Sequence, residues 1–482
     1  MTDFKLNIYN YDTSNINAVY IYPNFAEIAS NTFNEHEYEF IKRENDNKIN
    51  PILLNIFPDW EHIVIVPEVK DQNEGSEKLR QFGAKVAKHA KKNKTDTLNI
   101  IDCLKDTKQV LDFIQGFVLA SYTFEKYLTD KKETRNLLSL NILSKNIDEK
   151  DLEFAETLIK GVLKVRDLVN EPASHLTSEI LAQEAEKSGN ETGIKVTVLH
   201  KEEIEKLKMG GILAVNQGST QPPTFTSMTW KPKNSINKKP IILIGKGITY
   251  DTGGLSLKPT ENSMDEMKSD MAGAAVVMNT ICVIAKLKLP IYVISLIPST
   301  DNRLSSDSYS PGDVITMYSG TTVEVLNSDA EGRLILADAL SYAQQFKPEL
   351  AITVATLTGA AARAIGEKGA VVMGNAPEET MQELIKAGYT TNERLVEFPF
   401  WDDYAEELKS EIADLKNIGS NQGGAITAGK FLEKFAPKPF IHLDIAGTSF
   451  FKKPKDYFTF GGTGFGVRLL TEFIINYYKL NK

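Results

Sequence analysis

The chain has 482 residues, of which 55 are lysine or arginine and 64 are aspartate or glutamate, so its formal net charge is −9. Its apolar and charged fractions, 42% and 25%, are those of a globular protein that can bury a large core without disulfides. The acidic balance disfavours nonspecific binding to nucleic acid. The two cysteines and six scattered histidines are too few for a disulfide framework or a cysteine-based zinc site.

The sequence predicts a cytoplasmic protein that does not bind membranes. Its longest apolar runs, such as residues 290–298, fall far short of the roughly 20 residues that a membrane span needs. The N-terminus shows no basic segment followed by an apolar one, so we expect no secretory signal.

Up to about residue 145, short β-rich runs alternate with helical patterns. The elements predicted here are strands at 18–22, 62–66 and 98–101 and helices at 77–92 and 109–127. This alternation indicates an α/β domain with a largely parallel sheet. The polar stretch 144–150 marks its end, which gives an N-terminal α/β domain over residues 1–150 with a possible oligomeric or regulatory role.

The second domain, residues 151–482, begins with a predicted linking helix from Asp151 toward Val169. Strand–helix alternation then continues, with more glycine and more unusual turns. The predicted elements are buried strands at 240–245, 291–297, 349–355 and 440–445 and helices at 267–286, 334–346 and 425–435. We therefore predict an α/β protein of two α/β domains, the smaller at the N-terminus.

Polar residues cluster where the predicted strands of the second domain end, the edge at which open α/β sheets bind ligands. The strand that ends at Gly245 is followed by Lys246, by Asp251 in a glycine-rich turn and by Lys258. A phosphate-binding loop is the alternative, but no lysine here fits the GxxxxGK[ST] pattern. Asp270 follows at the start of a helix of small residues, where an ordinary N-cap aspartate is the simpler interpretation.

A second cluster lies in residues 327–334, NSDAEGRL. Asp329, Glu331 and Arg333 stand at alternate positions, so an extended backbone would project all three side chains to one side. Burying two carboxylates beside an apolar strand is costly unless cations compensate. This octapeptide alone fits equally well a surface turn in which Arg333 pairs with a carboxylate.

Together the two clusters suggest hydrolysis assisted by two metal ions. The four carboxylates are enough to hold two divalent cations roughly 3.5–4 Å apart, which would activate water and orient a substrate carbonyl. Lys258 and Arg333 could stabilise the negative charge of a tetrahedral transition state. The scattered histidines leave no competing Ser–His–Asp or Cys–His set.

With these motifs the chain resembles the leucyl aminopeptidases (the cytosol aminopeptidase family), which are dinuclear metal exopeptidases. Residues 327–334 are similar to the family signature NTDAEGRL, with Ser328 in place of threonine. The other blocks that resemble the family, in the family's order, are 166–172, 245–258, 311–314, 355–359, 414–417, 442–447 and 463–468. The resemblance covers roughly residues 165 to 470 and implies a catalytic domain with a mixed sheet flanked by helices.

The resemblance also implies roles for the clustered residues and two divalent metal ions per subunit. Mn or Zn is favoured over Mg or Co. One ion would be held by Lys246, Asp251, Asp270 and Glu331, and the other by Asp251, Asp329 and Glu331. Lys258 would polarise the scissile carbonyl and stabilise the gem-diolate. Arg333 would hold a bicarbonate ion that acts as general base.

The resemblance further implies a metal-dependent aminopeptidase that removes leucine-like N-terminal residues from short peptides and assembles as a homohexamer. The residues it places in the substrate pocket are Met267, Thr356, Leu357, Gly359, Ala446 and Ser449. Ser449 is small and polar where an apolar residue is expected. The resemblance therefore supports a preference for leucine less directly than it supports peptidase activity. Met267 also fits an ordinary core methionine.

The sequence offers two alternative functions. Some bacterial relatives also act as DNA-binding accessory factors, and the candidate patch here is Lys85, Lys88, Lys91, Lys92 and Lys94. A solvated helix end is the favoured interpretation, because lysines are common near a helix C-terminus, no aromatic residue interleaves with these and the chain is acidic overall. The second alternative is a catalytically inactive scaffold. It is disfavoured because all the candidate catalytic and metal-binding residues are present.

Overall fold

The structure, a computed structural model, describes residues 3–8, 17–28, 32–56, 59–67, 69, 71–104, 107–129 and 138–480. The chain divides into two compact units, one over Met1–Leu163 and Lys453–Phe460 and the other over Lys164–Lys452 and Gly461–Asn481. It crosses from the first unit to the second inside a long helix, Glu149–Asn170, where the sequence predicted a linking helix.

The first unit is an α/β unit. Its strands are β1 (Phe4–Ile8), β2 (Ala18–Tyr22), β3 (Ile52–Ile56), β4 (Asp59–Ile65), β5 (Thr97–Asp102) and β6 (Leu138–Leu143), and its helices are α1 (Glu35–Asp46), α2 (Gln72–Lys92), α3 (Thr107–Ala120) and the first part of α4 (Glu149–Asn170). They form a six-stranded sheet in the order β1-β6-β5-β2-β4-β3, in which only the β3–β4 pair is antiparallel. The largely parallel sheet is therefore confirmed, whereas the helix predicted to reach residue 127 ends at Ala120.

The second unit holds the remaining elements. Its helices are α5 (Ser178–Thr192), α6 (Lys201–Lys206), α7 (Gly210–Asn216), α8 (Ala272–Lys286), α9 (Glu331–Ala343), α10 (Gly359–Ile365), α11 (Glu378–Thr391), α12 (Asp403–Glu406), α13 (Gly424–Glu433) and α14 (Val467–Tyr477). Its strands are β7 (Lys195–Leu199), β8 (Thr224–Trp230), β9 (Ile241–Gly245), β10 (Gly247–Asp251), β11 (Val293–Asn302), β12 (Val314–Thr316), β13 (Thr322–Glu324), β14 (Leu350–Ala355), β15 (Ala370–Gly374), β16 (Leu395–Glu397), β17 (Leu415–Lys416), β18 (Phe440–Asp444), β19 (Phe450–Phe451) and β20 (Gly461–Gly462).

A nine-stranded mixed sheet forms the centre of this unit, in the order β16-β15-β18-β14-β9-β11-β8-β7 with β10 beside β11. The strands β18, β14, β9 and β11 run parallel to one another, and β10 runs parallel to β11. Strands β9, β14 and β18 are buried along their whole length, and α8 and α9 pack on the sheet. The predicted mixed sheet flanked by helices is confirmed. Because parallel strands end at the same edge, the residues that follow β9, β10 and β14 are brought together.

Two local predictions were wrong. Residues 329–333 do not form an extended stretch, because α9 begins at Glu331 and includes Arg333. The helix predicted over 267–286 begins at Ala272, after a separate 3-10 helix, Met264–Ser269. Among the described residues one stretch, Met264–Lys286, is apolar and long enough to cross a membrane, but 89% of its apolar 18-residue window lies buried as part of the core.

The last helix, α14, receives its N-terminal cap from a distant side chain. Gly466, the residue before this helix, has no side chain and a φ of 109°. Instead, Glu393 Oε2 accepts hydrogen bonds from the backbone N–H groups of Gly466 and Leu469, both at 2.9 Å. Glu393 Oε1 accepts from Nε of Arg468 at 3.0 Å, and both side chains are buried. A carboxylate at this position satisfies helix N–H groups and the positive end of the helix dipole.

We expect Glu393→Gln to lower the free energy of unfolding by roughly 3 kcal/mol, because it removes the charge from a buried, hydrogen-bonded ion pair. The measurement is urea unfolding of the whole protein. Glu379→Gln, on the exposed side of α11, is the matched control and should cost about 0.5 kcal/mol or less. Equal stability of the two variants would show that Glu393 does not anchor α14.

Candidate active site

The site begins with Lys246, which directly follows β9. Its side chain is 3% exposed, and its Nζ lies 2.9 Å from Asp270 Oδ2 and 2.9 Å from Glu331 Oε1. It also donates a hydrogen bond to the carbonyl of Thr356 at 2.9 Å. A Cβ at position 332 would lie 2.7 Å from this Nζ, so only glycine leaves room for the lysine. Lys246 thus joins residues from three separate segments of the unit.

A second lysine enters from the glycine-rich turn after β10. Nζ of Lys258 lies 2.9 Å from Asp251 Oδ2 and also pairs with Asp329. Gly253, with a φ of 86°, turns the chain so that its N–H donates to Asp251 Oδ1 at 2.9 Å. The turn thereby holds both the lysine and the aspartate that precedes it.

Three carboxylates form the centre of the site. Asp251, Asp329 and Glu331 each place one carboxylate oxygen so that the three atoms lie within 4.8 Å of one another. Burial and the neighbouring charges of Asp251 and Glu331 raise the pKa of Asp329 to about 7. Burial likewise raises the pKa of Asp270, against the attraction of Lys246. Such a concentration of buried negative charge is unfavourable without cations.

The residues present fit divalent metal ions. Oε2 of Glu331 is buried and has no hydrogen-bond partner among the described residues, although Oε1 of the same group pairs with Lys246. An unpaired buried carboxylate oxygen costs free energy that a bound cation would recover. The surrounding donors are carboxylate oxygens and one lysine nitrogen, a set that suits Mn, Mg or Zn.

Asp270 is not the N-cap that its sequence context suggested. Helix α8 has Met271 at its N-cap position, and no side chain caps it. Asp270 instead accepts a hydrogen bond at 2.8 Å from the hydroxyl of Thr356, besides its ion pair with Lys246. Its side chain therefore points toward the same lysine as Glu331.

Arg333 lies next to this cluster but contacts other groups. On α9 it is two residues past Glu331, and its buried Nη1 donates to the carbonyl of Asn417 at 2.7 Å. Burial lowers its pKa to about 10, against the attraction of Glu331 and Asp444. Its Nε is buried and has no hydrogen-bond partner within the described ranges.

The predicted pocket residues lie on three segments. Thr356, Leu357 and Gly359 follow β14, Ala446 and Ser449 follow β18, and Met267 is half-buried on the 3-10 helix. Asp444 ties the first two segments together. Its Oδ1 accepts from the N–H groups of Leu357 at 3.1 Å and Ala446 at 3.2 Å, and its Oδ2 accepts from the hydroxyl of Thr358 at 2.7 Å. Ser449 is buried and Gly359 is exposed.

Several residues that organise the site were missed from the sequence. Asn302, the last residue of β11, donates to Asp251 Oδ1 at 2.8 Å and to the carbonyl of Ser328 at 3.0 Å. The hydroxyl of Tyr309 donates to the same carbonyl at 2.7 Å. Asn302 and Asp444 both end a buried strand at the edge that carries the site, and that position was the signal that could have identified them.

Ser328, the departure from the family signature, keeps a structural role. Its hydroxyl donates to the carbonyl of Gly253 at 2.7 Å and accepts from the N–H of Ser256 at 2.8 Å. The hydroxyl that serine shares with threonine therefore ties the segment of Asp329 to the turn of Lys258.

The lysine patch of the first unit carries no comparable arrangement. Lys85 donates to the carbonyl of Asn50 at 3.0 Å and lies over the ring of Phe82 at 5.3 Å. The remaining lysines of the patch stand at the end of α2 or beyond it, where the helix dipole favours cations. The DNA-binding alternative gains no support here.

Comparison with known proteins identifies the family. The model of the cytosol aminopeptidase family, catalytic domain, matches residues 164–471. Probable cytosol aminopeptidases of Syntrophotalea carbinolica and Chlorobaculum tepidum are 44% identical over 376 residues and 45% identical over 399 residues. These alignments cover 76% and 79% of this chain and 75% and 78% of the relatives. A third, from Geobacter sulfurreducens, is 42% identical over 408 residues, which is 83% of this chain and 82% of the relative.

The family match and these relatives agree with the metal-binding character of the clustered carboxylates. The chain belongs to the cytosol aminopeptidase family and is a hydrolase, a metal-dependent aminopeptidase.

Proposed function

We propose that this chain removes N-terminal residues, with leucine-like residues preferred, from short peptides by hydrolysis at a pair of divalent cations. The observation that carries the proposal is the cluster of Asp251, Asp329 and Glu331, whose carboxylate oxygens converge within 4.8 Å beside two buried or half-buried lysines. The chain is long enough to bury a large apolar core, so its fold does not depend on a metal at this cluster. Burying these carboxylates is costly, which favours a catalytic role for them.

The two cations, Mn or Zn, would be held by residues of this cluster. Lys246, Asp251, Asp270 and Glu331 would serve one ion, and Asp251, Asp329 and Glu331 the other. Bound there, two divalent ions supply Lewis-acid activation of a water molecule and of the scissile carbonyl. Asn302 and Gly253 both donate to Oδ1 of Asp251, so they orient a carboxylate that serves both ions.

Lys258 and Arg333 act on the substrate side in this proposal. Lys258 is 14% exposed, so its ammonium group can reach a substrate while Asp251 and Asp329 hold it in place. It would stabilise the negative charge that develops on the carbonyl oxygen. Arg333 keeps a buried Nε donor that no described residue uses, which leaves it able to hold an anion such as bicarbonate close to the cluster. Bicarbonate held there would supply a general base.

The pocket for the first side chain would be formed by the segments that Asp444 ties together, with Met267 and Ser449 completing it. The free amine of a peptide would bind one of the two cations, and this would restrict cleavage to the N-terminal residue. We further propose a cytoplasmic homohexamer, to which the first unit could contribute. Sedimentation of the purified chain as a monomer would contradict the hexamer.

We expect purified protein to hydrolyse leucine p-nitroanilide when Mn or Zn is present and to lose this activity with a chelator. Acetylation of the substrate amine should abolish hydrolysis, because the free amine is the group proposed to bind one of the cations. The measurement is release of p-nitroaniline. Equal rates on the free and the acetylated substrate would contradict the proposed exopeptidase action.

Asp329→Ala should lower turnover of this substrate by at least about 100-fold, since it removes a carboxylate from the central cluster. The control is Glu261→Ala, which removes an exposed carboxylate of the same unit and should leave the rate within about twofold. Circular dichroism of both variants should match the parent. Near-normal turnover by Asp329→Ala would show that the cluster is not the catalytic site.

A further inference from the structure

A positive charge stands beside the proposed pocket with no partner from the protein. Arg363, on α10, is exposed, and no described residue forms a hydrogen bond or an ion pair with its guanidinium. Its Nη1 lies 2.9 Å from the point that a Cβ would occupy at Gly359. A helical side chain leans back over the preceding turn, and the absence of a side chain at Gly359 lets this arginine lie close to the backbone there.

Gly359 is connected to the metal-binding cluster by a short, well-anchored segment. Thr356 contacts Lys246 through its carbonyl at 2.9 Å and Asp270 through its hydroxyl at 2.8 Å. Asp444 then fixes the next residues, Leu357 and Thr358, by three hydrogen bonds. Three residues of extended chain span at most about 11 Å, so Gly359, beside which the Arg363 guanidinium lies, is no farther than that from Thr356, which contacts the cluster.

The guanidinium is available to bind an anion at the edge of the proposed pocket. It folds back toward Gly359, the first residue of α10, and no described residue pairs with it. A guanidinium binds a carboxylate through two parallel hydrogen bonds, so a substrate carboxylate at this edge would meet a matching partner.

We propose that Arg363 binds the carboxylate of an acidic side chain on the first residue of the substrate. The enzyme then accepts N-terminal glutamate better than glutamine, which has the same shape without the charge. This inference rests on the proposed function, because it uses the same cluster and the same pocket residues, Thr356 and Gly359. It adds peptides with acidic N-termini to the leucine-like substrates.

The test compares kcat/KM for glutamate p-nitroanilide and glutamine p-nitroanilide, with Mn present. In the parent protein the Glu-to-Gln ratio should be roughly fivefold to tenfold, as expected for one partly exposed ion pair. Arg363→Gln should bring this ratio down to about one, whereas Arg363→Lys should keep part of it because it keeps the charge. The matched control is Lys368→Gln, which removes an exposed positive charge just beyond α10 and should leave the ratio unchanged.

Leucine p-nitroanilide, measured with every variant, separates failure of this inference from failure of the proposed function. If the parent and Arg363→Gln show the same Glu-to-Gln ratio while both hydrolyse the leucine substrate, Arg363 does not select substrates and the proposed function stands. An equal fall of the ratio in Lys368→Gln would also overturn the inference, because it would indicate a general effect of surface charge. No hydrolysis of any of the three substrates would overturn both.

Discussion

The burial of several carboxylates at one edge of a sheet is the constraint on which the catalytic unit depends. Within the described part of the chain, two lysines pair directly with Asp251, Asp270, Asp329 and Glu331, so the cluster retains an excess of negative charge. Divalent cations would compensate this excess, as the metal dependence of the family requires. Part of the surrounding architecture positions these charges: the ends of β9 and β10 carry Lys246 and Asp251, and Gly332 leaves room for the Lys246 side chain.

The supporting hydrogen bonds come from parts of the chain that are far apart in sequence. Asn302 holds Asp251 and the carbonyl of Ser328, while the Ser328 hydroxyl reaches the turn that carries Lys258. Asp444 performs a similar task on the substrate side, where it joins the loop after β14 to the turn after β18. Both halves of the proposed site are therefore held by buried polar side chains at strand ends, which fix geometry better than exposed loops would.

The sequence predicted most of this arrangement for a physical reason. Buried parallel strands appear in the sequence as short apolar runs, and ligand-binding residues follow their carboxyl ends, so Lys246 and Asp251 could be placed without a structure. Thr356 was placed only by the family resemblance. The first unit was likewise recognisable as α/β, yet its sequence carries no motif that specifies a function.

The wrong predictions arose where the local residue pattern fits two backbone conformations, a strand and a helix. Alternate spacing of Asp329, Glu331 and Arg333 suggested a strand, but the helix begins at Glu331 and sends the carboxylate toward Lys246 and the guanidinium toward Asn417. Asn302 was missed because its importance lies in contacts with Asp251 and Ser328, which are distant in the chain. Such contacts depend on strand order, which residue spacing alone does not reveal.

The most direct measurement is the number of metal ions per chain in the purified protein after equilibration with Mn or Zn. Mass spectrometry gives the metal concentration, which is divided by the protein concentration of the same sample. The account predicts two ions per chain for the parent protein. It predicts the loss of both from Glu331→Gln, because this side chain is proposed to serve both ions and leaves an unpaired oxygen in the cluster. Two ions retained by that variant, or fewer than two in the saturated parent, would contradict the assignment of these residues to a metal pair.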